Sequence, residues 1–287
     1  MSPELARRLD FARALAIDAG RRTLRWFPAP LPFATPGAAH APDPLGAERK
    51  GDGSIVTRAD RDAESYMRDR LAHEFPLDAV LGEEFGARDG SSPFRWVIDP
   101  IDGTASFALG VPLFGTIIGI EDSGLPAAGA VFLPALGEIV WGSAAGAWHA
   151  MLTPSQADPG PAARPARVSS TPSLDRATLC STSLDYFARA GCPALYPRLQ
   201  AAVAQTRGWS DCYAFVLLAT GRVDAVVEPK VGPWDVCGLI PIIEGAGGRA
   251  TDFSGARSTR SGTIVASNGL VHSPLLTTLA GERSAPR

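Results

Sequence analysis

The chain lacks the features that mark membrane proteins and nucleic-acid-binding proteins. No uninterrupted apolar run approaches the roughly 20 residues that a membrane-spanning helix requires. The formal net charge is −3, from 27 basic and 30 acidic residues, so no basic excess is present to bind a nucleic-acid backbone. The amino terminus is amphipathic and shows no apolar signal segment. We therefore expect a cytoplasmic protein with neither a membrane nor a nucleic acid as its partner.

Cysteine pairs and a phosphate-binding loop are also lacking. The four cysteines show neither C-x-x-C spacing nor neighbouring histidines, which predicts buried thiols rather than disulfides or zinc ligands; they are Cys180, Cys192, Cys212 and Cys237. No G-x-x-x-x-G-K-[ST] motif occurs. The glycines of residues 245–248 follow an expected helix, where they fit a C-terminal cap. A kinase that binds its nucleotide at these glycines is therefore disfavoured.

Apolar periodicity predicts helices and strands in both halves of the chain. Residues 3–26 have helical spacing, and a second helix is expected after Thr57, which would cap it and place Asp60 in its first turn. Further helices are expected over residues 195–205, 211–219 and 234–246 and at the C-terminus, with Pro241 disturbing the third of them. Strands are expected over residues 95–98, 114–121, 127–133, 138–142, 177–181, 223–228 and 264–266. The first four strands predict an antiparallel meander.

The 287 residues, of which 45% are hydrophobic and 20% charged, can bury a large core as one domain or as two fused lobes. Residues 154–165 are rich in proline and are the best candidate for a boundary. We expect an N-terminal α/β lobe over residues 1–150 and a C-terminal α/β lobe over residues 151–287. A second proline-rich stretch, residues 28–47, is expected to be a loop. Strands mixed with helices in both halves favour a layered α/β architecture.

Three acidic clusters occur where apolar segments begin or end. Asp99 and Asp102 follow a strand-like run and precede Gly103 and Thr104, and Pro100 between them predicts that the chain leaves the sheet there. The other two clusters are Glu83 with Glu84, after residues 79–81, and Asp235, at the start of the 234–246 stretch. An Asx-rich turn would explain the first cluster alone. Carboxylates massed together repel one another unless a cation neutralises them, so the three clusters together favour a site for Mg²⁺.

These segments resemble the inositol monophosphatase superfamily of Mg²⁺-dependent phosphatases. The matching stretches, in the order of the family, are residues 50–60, 82–84, 99–104, 234–235 and 244–248. Residues 106–116 and 207–213 further resemble the histidinol-phosphate phosphatase branch. Ile55 and Ser106 depart from the pattern, which usually has proline and asparagine there. The resemblance implies a five-layer αβαβα sandwich, a homodimer, and two lobes that form one integrated catalytic unit.

The resemblance also implies two or three Mg²⁺ ions per active site. Glu83, Asp99 and the Ile101 carbonyl would hold the first ion, and Asp99, Asp102 and Asp235 the second. Glu83 would also lie near a weaker third ion. Thr104 would lie beside the attacking water, with its hydroxyl oriented by Asp60. The simpler interpretations of Thr104 and Asp60 are a helix cap and a first-turn charge, and both are compatible with catalysis.

Substrate contacts are expected away from the ions. The N–H groups of Gly103 and Thr104 would bind the phosphate, and Asp211 and Glu228 would bind a cationic part of the substrate. Three further candidates each have a simpler interpretation. Lys50 would offset phosphate charge or be a solvated loop lysine, and Glu84 would orient a metal ligand or be a surface charge. Trp209 would form a wall of the substrate pocket or be a core residue.

The leading hypothesis for the function is a Mg²⁺-dependent phosphomonoesterase that hydrolyses L-histidinol phosphate in histidine biosynthesis. Within the same class, the alternative is an inositol-1-phosphate phosphatase. Sugar bisphosphates and 3′-phosphonucleotides are less favoured, because a nucleotide pocket would need more basic residues than the motifs supply. In another class, the alternative is a non-catalytic protein that binds metal or phosphate. We expect the partner to be a small phosphorylated metabolite.

Overall fold

The computed structural model describes residues 1–28, 45–51, 54–156 and 158–281, so the expected loop over residues 28–47 lies mostly outside it. The helices are α1 (Pro3–Thr23), α2 (Arg58–Glu74), α3 (Thr104–Ala108), α4 (Leu184–Arg189), α5 (Leu195–Ala202), α6 (Asp211–Ala219), α7 (Pro233–Val236), α8 (Leu239–Gly245) and α9 (His272–Ala280). Short 3₁₀ turns cover Gly160–Ala162 and Leu174–Arg176. In these ranges no helix combines the length and the apolarity needed to cross a membrane.

The strands form two sheets and one ribbon. They are β1 (Glu48–Arg49), β2 (Ile55–Val56), β3 (Ala79–Gly82), β4 (Gly86–Arg88), β5 (Phe94–Asp102), β6 (Gly115–Asp122), β7 (Leu125–Leu133), β8 (Glu138–Ser143), β9 (Gly146–Met151), β10 (Arg164–Pro165), β11 (Thr178–Cys180), β12 (Gln205–Arg207), β13 (Ala225–Glu228), β14 (Arg249–Thr251) and β15 (Ile264–Ser267). β1 and β2 pair as an antiparallel ribbon.

The larger sheet has eight strands in the order β10-β9-β8-β7-β6-β5-β3-β4. Consecutive strands from β5 to β9 pair antiparallel, which confirms the predicted meander, and β3 joins β5 in parallel. Helices α1 and α2 cover one face of this sheet. Five apolar residues of α1 recur every three or four residues and are buried against the sheet; they are Leu5, Leu9, Ala12, Ala16 and Ala19.

The smaller sheet has five strands in the order β12-β11-β13-β15-β14. Helices α6 and α8 lie between the two sheets, in a core cluster that draws residues from both of them. Helices α4, α5 and α9 contribute to a separate cluster on the outer face of the smaller sheet. The layers are therefore helix, sheet, helix, sheet and helix, which confirms the expected αβαβα sandwich.

The prediction of a single helix over residues 234–246 is wrong, because two helices, α7 and α8, form this part of the chain. Pro241 lacks the N–H that would bond the Cys237 carbonyl one turn earlier. The helix is therefore interrupted near Cys237, between α7 and α8, and not at the proline itself. The larger sheet packs closely on this interruption. A Cβ at Gly129 would lie 2.3 Å from the Gly238 carbonyl oxygen, so glycine at this position lets the sheet and the helix meet.

Candidate active site

Strand β5 brings Asp99 and Asp102 to one site by means of a β-bulge. Asp99 is paired with Ile117 of β6 and Asp102 with Gly115, so three steps along β5 match two steps along β6. In a regular strand, residues three apart face opposite sides of the sheet. The extra residue turns the two carboxylates toward the same side, which the D-x-x-D spacing alone does not.

The prediction that the chain leaves the sheet at Pro100 is wrong. Strand β5 continues to Asp102, and the bulge lies where the proline has no N–H to offer to the ladder. The Pro100 carbonyl is still bonded, because the Thr116 hydroxyl donates to it at 2.8 Å. The proline therefore locates the bulge instead of ending the strand.

Asp235 completes a group of three acidic side chains, which we call the carboxylate triad (Asp99, Asp102 and Asp235). One carboxylate oxygen of each residue lies within 4.8 Å of those of the other two. Asp235 is in the first turn of α7, and its Oδ2 accepts the Gly232 N–H at 2.7 Å. Asp102 accepts the Cys212 N–H at the start of α6. Residues from both halves of the chain thus meet at the triad.

Burial and repulsion from neighbouring carboxylates raise the pKa of every member of the triad. Asp99 is 1% exposed, and burial, followed by the charges of Glu83 and Asp102, raises its pKa well above the ordinary value. Burial and the charge of Asp211 do the same to the pKa of Asp102. Burial raises the pKa of Asp235 to about 7, although the hydrogen bond from Gly232 opposes this. Clustered oxygen donors of this kind fit a hard divalent cation such as Mg²⁺, which would relieve the repulsion.

The Thr104 hydroxyl lies between a backbone carbonyl and a buried carboxylate. It donates to the Ile101 carbonyl at 2.9 Å and lies 3.3 Å from Asp60 Oδ1. Asp60 Oδ2 accepts the backbone N–H of Thr57 at 2.8 Å and its hydroxyl at 2.5 Å, which confirms the predicted cap of α2. Burial raises the pKa of Asp60 to about 6 despite these bonds. Asp60 therefore serves as a capping residue and also faces the site.

Lys50 joins the two glutamates of the turn between β3 and β4. Its Nζ lies 2.7 Å from Oε1 of Glu83 and 2.7 Å from Oε1 of Glu84. The interpretations of Lys50 as a solvated lysine and Glu84 as a surface charge are wrong, because their side chains are 24% and 5% exposed. Burial opposes the charge on Lys50, but the two carboxylate bonds outweigh it and raise its pKa. Burial raises the pKa of Glu84 to about 7.

Glu83 is near the carboxylate triad without belonging to it. Its oxygens fall outside the group that lies within 4.8 Å, and Oε1 is engaged by Lys50. Its charge nevertheless raises the pKa values of Asp99 and Asp235. Its predicted role as a metal ligand stays a prediction.

Asp211 opens α6 beside Gly103. Its backbone is in the left-handed region, with φ of 54°, which few residues other than glycine adopt. The Ser210 hydroxyl donates to Oδ2 at 2.7 Å. A Cβ on Gly103 would lie 3.1 Å from this Oδ2, and Gly103 itself has a φ of 87°. Burial raises the pKa of Asp211. The glycine therefore permits the Asp211 carboxylate to approach the bulge of β5.

Glu228 is 3% exposed at the end of β13. Its Oε1 accepts the N–H of Thr182 at 2.8 Å and the hydroxyl of the same residue at 3.0 Å. Its Oε2 is buried and has no hydrogen-bond partner in the described part of the chain. Burial, followed by the charge of Asp211, raises the pKa of Glu228 to about 8. An unpaired buried oxygen of this kind is a place for a polar ligand group.

Trp209 precedes Asp211 and is 40% exposed, so the interpretation of this side chain as a core residue is wrong. Its predicted position in the wall of the substrate pocket stays a prediction.

Three residues near the site were not predicted from the sequence. Tyr186 lies in α4, where burial and the charges of Asp211 and Asp235 raise its pKa to about 12. Thr182 holds Glu228. Glu64 lies four residues after Asp60 on α2 and bonds the turn that carries Glu83. Only Glu64 had a signal in the sequence, since residues four apart share one face of a helix.

Comparisons with a family pattern, with individual proteins and with solved structures all find phosphatases. The sequence pattern of the inositol monophosphatase family matches residues 35–285. The histidinol-phosphatase of Mycobacterium tuberculosis is 37% identical over 237 residues, which are 82% of this chain and 88% of that protein. The histidinol-phosphatase of Chlorobaculum parvum is 34% identical over 291 residues, or 99% of each chain. An inositol monophosphatase from Zymomonas mobilis superimposes with a TM-score of 0.77 at 28% identity, covering 98% of this chain and 100% of that one.

Proposed function

Because the chain belongs to the inositol monophosphatase family, and is therefore a phosphoric monoester hydrolase, we propose that it hydrolyses L-histidinol phosphate to L-histidinol and phosphate with the help of Mg²⁺. The resemblance noted in the motifs is thus confirmed at the level of the family. The histidinol-phosphatases among its relatives support this choice of substrate. The structural observation that carries it is a pair of carboxylates beside the carboxylate triad, the buried Glu228 and the partly buried Asp211.

We propose that the carboxylate triad, together with Glu83 and the Ile101 carbonyl, holds two or three Mg²⁺ ions. Bound there, the ions would neutralise phosphate charge and lower the pKa of a coordinated water. The support for this proposal is the triad itself, whose oxygens are clustered and whose pKa values are raised; Asp99 is buried, and Asp102 and Asp235 are partly buried. Three oxygen ligands of like charge are costly to bury unless a cation accompanies them.

Thr104 and Asp60 would orient the attacking water. A hydroxyl has one proton, and Thr104 can donate it either to the Ile101 carbonyl or to Asp60. A hydrogen bond donated to Asp60 leaves the Thr104 oxygen free to accept a hydrogen bond from the water. With a pKa of about 6, Asp60 is mostly ionised at neutral pH and can accept the hydrogen bond of the hydroxyl. The backbone N–H groups of Gly103 and Thr104, at the start of α3, would hold the phosphate.

Asp211 and Glu228 would bind the cationic end of histidinol phosphate. The unpaired Oε2 of Glu228 and the Asp211 carboxylate, whose charge also acts on Asp102, would present negative charge to a cation bound between them. A cationic amine or imidazole between them would lower both pKa values, which burial has raised. The charges of Asp211 and Glu228 also contribute to the raised pKa of Tyr186, so this side chain lies near the same carboxylates.

Inositol 1-phosphate is the second candidate substrate, and one observation favours it. With a pKa of about 8, Glu228 is mostly protonated at neutral pH when no cation is bound, so it could donate a hydrogen bond to a neutral sugar hydroxyl. The two candidate substrates therefore differ in the state of Glu228 that they favour: cationic histidinol phosphate favours the ionised carboxylate, and inositol 1-phosphate favours the protonated form.

A comparison of kcat/KM for L-histidinol phosphate and for inositol 1-phosphate, both with Mg²⁺, tests the proposed substrate. We expect histidinol phosphate to be preferred by at least about tenfold, which corresponds to about 1.4 kcal/mol for one charged contact. A preference for inositol 1-phosphate would overturn it. Turnover of p-nitrophenyl phosphate that disappears in Asp99→Asn separates an enzyme from a non-catalytic binder, which would show no turnover of any phosphate ester.

The remaining proposals concern organisation. We propose that residues 1–150 and 151–287 act as one catalytic unit, because Asp99 and Asp102 come from the first part and Asp235 from the second. All four cysteines lie in the described residues and carry free thiols, which supports a cytoplasmic location. A homodimer is proposed from the family resemblance and is tested by light scattering of the purified protein.

A further inference from the structure

The turn between β3 and β4, residues 82–86, is held in place by a carboxylate from α2. Glu64 is completely buried, and its Oε2 accepts the N–H of Glu84 at 2.7 Å. Its Oε1 accepts the N–H of Phe85 at 3.1 Å and the Nε of Arg68 at 2.8 Å. Both oxygens of one carboxylate thus bind the backbone of the turn that carries Glu83 and Glu84.

Arg68 and Gly82 complete this arrangement. Arg68 lies one turn after Glu64 on α2, and besides bonding Glu64 it donates to the carbonyl of Gly86. A Cβ on Gly82 would lie only 2.1 Å from Glu64 Oε1, so any larger residue would displace the carboxylate. The turn is therefore held through its N–H groups and through a carbonyl by two residues of the same helix.

Helix α2 connects this turn to the other side of the site. Asp60, one turn before Glu64, faces the Thr104 hydroxyl, and Met67 and Leu71 are buried in the core that α2 shares with the larger sheet. A helix anchored in this way fixes the spacing between Asp60 and Glu64. The distance from Thr104 to the β3–β4 turn consequently depends on one rigid element.

We propose that Glu64, supported by Arg68, is a positioning residue that holds the β3–β4 turn so that Glu83 faces the carboxylate triad. The inference rests on the proposed function, in which Glu83 is a metal ligand. Hydrogen bonds to a charged acceptor are stronger than neutral ones, and a buried N–H that loses its acceptor is costly. Neutralising Glu64 therefore loosens the turn, and Glu83 loses its preferred distance from the triad.

The test is Glu64→Gln, which keeps the shape of the side chain but turns an amide NH₂ toward N–H groups that need an acceptor. Binding of Mn²⁺, used as a paramagnetic substitute for Mg²⁺, is measured by electron paramagnetic resonance without substrate. We expect an affinity at least about tenfold weaker, as is usual when a residue that orients a metal ligand is removed. Arg68→Met, which loosens the same turn from its carbonyl side, is expected to weaken Mn²⁺ binding in the same direction.

Asp78→Asn is the matched control for a purely structural effect. Asp78 is also buried and immediately precedes β3, at the end opposite to Glu83, where it accepts bonds from Arg8 and Trp96. Its replacement should lower the melting temperature as Glu64→Gln does, and leave the Mn²⁺ affinity within about twofold of the wild type, because it does not contact the turn.

Glu83→Gln in the same titration separates failure of the inference from failure of the proposed function. Weaker binding in Glu83→Gln and Glu64→Gln, with Asp78→Asn unchanged, supports the positioning role. Weaker binding in Glu83→Gln alone overturns that role and leaves the proposed function standing. Unchanged binding in Glu83→Gln overturns Glu83 as a ligand, and with it the positioning role of Glu64.

Discussion

Burial of the carboxylate triad, and its repulsion by neighbouring carboxylates, should make the protein less stable as the pH rises, when no divalent ion is present. The pKa of Asp235 in the folded state is about 7, whereas its ordinary value is 3.8. The folded state therefore binds this proton more tightly than the unfolded state does. The resulting stabilisation is complete below about pH 4 and is lost as the pH rises through about 7.

The size of the effect follows from the pKa change of this one carboxyl group. Each pKa unit corresponds to about 1.4 kcal/mol, so Asp235 alone contributes about 4 kcal/mol between low and high pH. About 3 kcal/mol of this is lost between about pH 5 and pH 8. The pKa values of Asp99 and Asp102 are raised as well, so their contributions have the same sign. Such a loss is large for a domain whose total stability is about 5–15 kcal/mol.

Urea unfolding at about pH 5 and about pH 8, with EDTA or with Mg²⁺, measures this effect. In EDTA we expect the free energy of unfolding to be lower at the higher pH, and Mg²⁺ to restore more of it there, because the ion binds ionised carboxylates. Asp235→Asn is the control and should flatten the dependence on pH in EDTA. Equal pH dependence in the wild type and Asp235→Asn, or an equal gain from Mg²⁺ at both pH values, would refute the reasoning.

Three further predictions concern individual side chains. Thr104→Val should lower kcat for histidinol phosphate by at least about a hundredfold and leave Mn²⁺ affinity unchanged, because in the proposed mechanism the hydroxyl beside Asp60 orients water and holds no ion; a weaker Mn²⁺ affinity in a titration would contradict this. Asp211→Asn and Glu228→Gln should each raise KM for histidinol phosphate by about tenfold and for p-nitrophenyl phosphate by much less, since only the first substrate is cationic; equal increases would exclude the cationic pocket. Lys50→Met should widen the difference in melting temperature between protein in Mg²⁺ and protein in EDTA, because its ammonium no longer neutralises two neighbouring glutamates; an unchanged difference in a thermal shift assay would show that this ion pair does not affect the site.

Local patterns predicted much of the fold. Thr57 is followed three residues later by Asp60, which indicates a capped helix, and α2 begins there. The meander was predictable because each strand contains a short apolar run followed by a turn. Strands of two or three residues, such as β1 or β10, contain no measurable period and depend on their partners.

The parts of the site that depend on distant contacts could not be predicted. The sequence predicted Asp99 and Asp102 just after a strand, but their position within β5, and the bulge that turns them to the same side, depend on pairing with β6. Lys50 was not expected to bond Glu83 and Glu84, because 33 residues separate it from the first of them. The unpaired oxygen of Glu228 likewise depends on how two strands meet in the smaller sheet. The acidic residue types indicated a candidate metal site, whereas the contacts between their side chains depend on how distant parts of the chain pack together.

The most direct test of the metal site is an anomalous-difference map from crystals grown with Mn²⁺ and recorded near the manganese absorption edge. We expect the strongest peak among the carboxylates of Asp99, Asp102 and Asp235, with coordination distances close to 2.2 Å as hard oxygen ligands give. Strong manganese peaks elsewhere on the protein, with none at these three side chains, would contradict the central claim that folding gathers them to bind divalent ions.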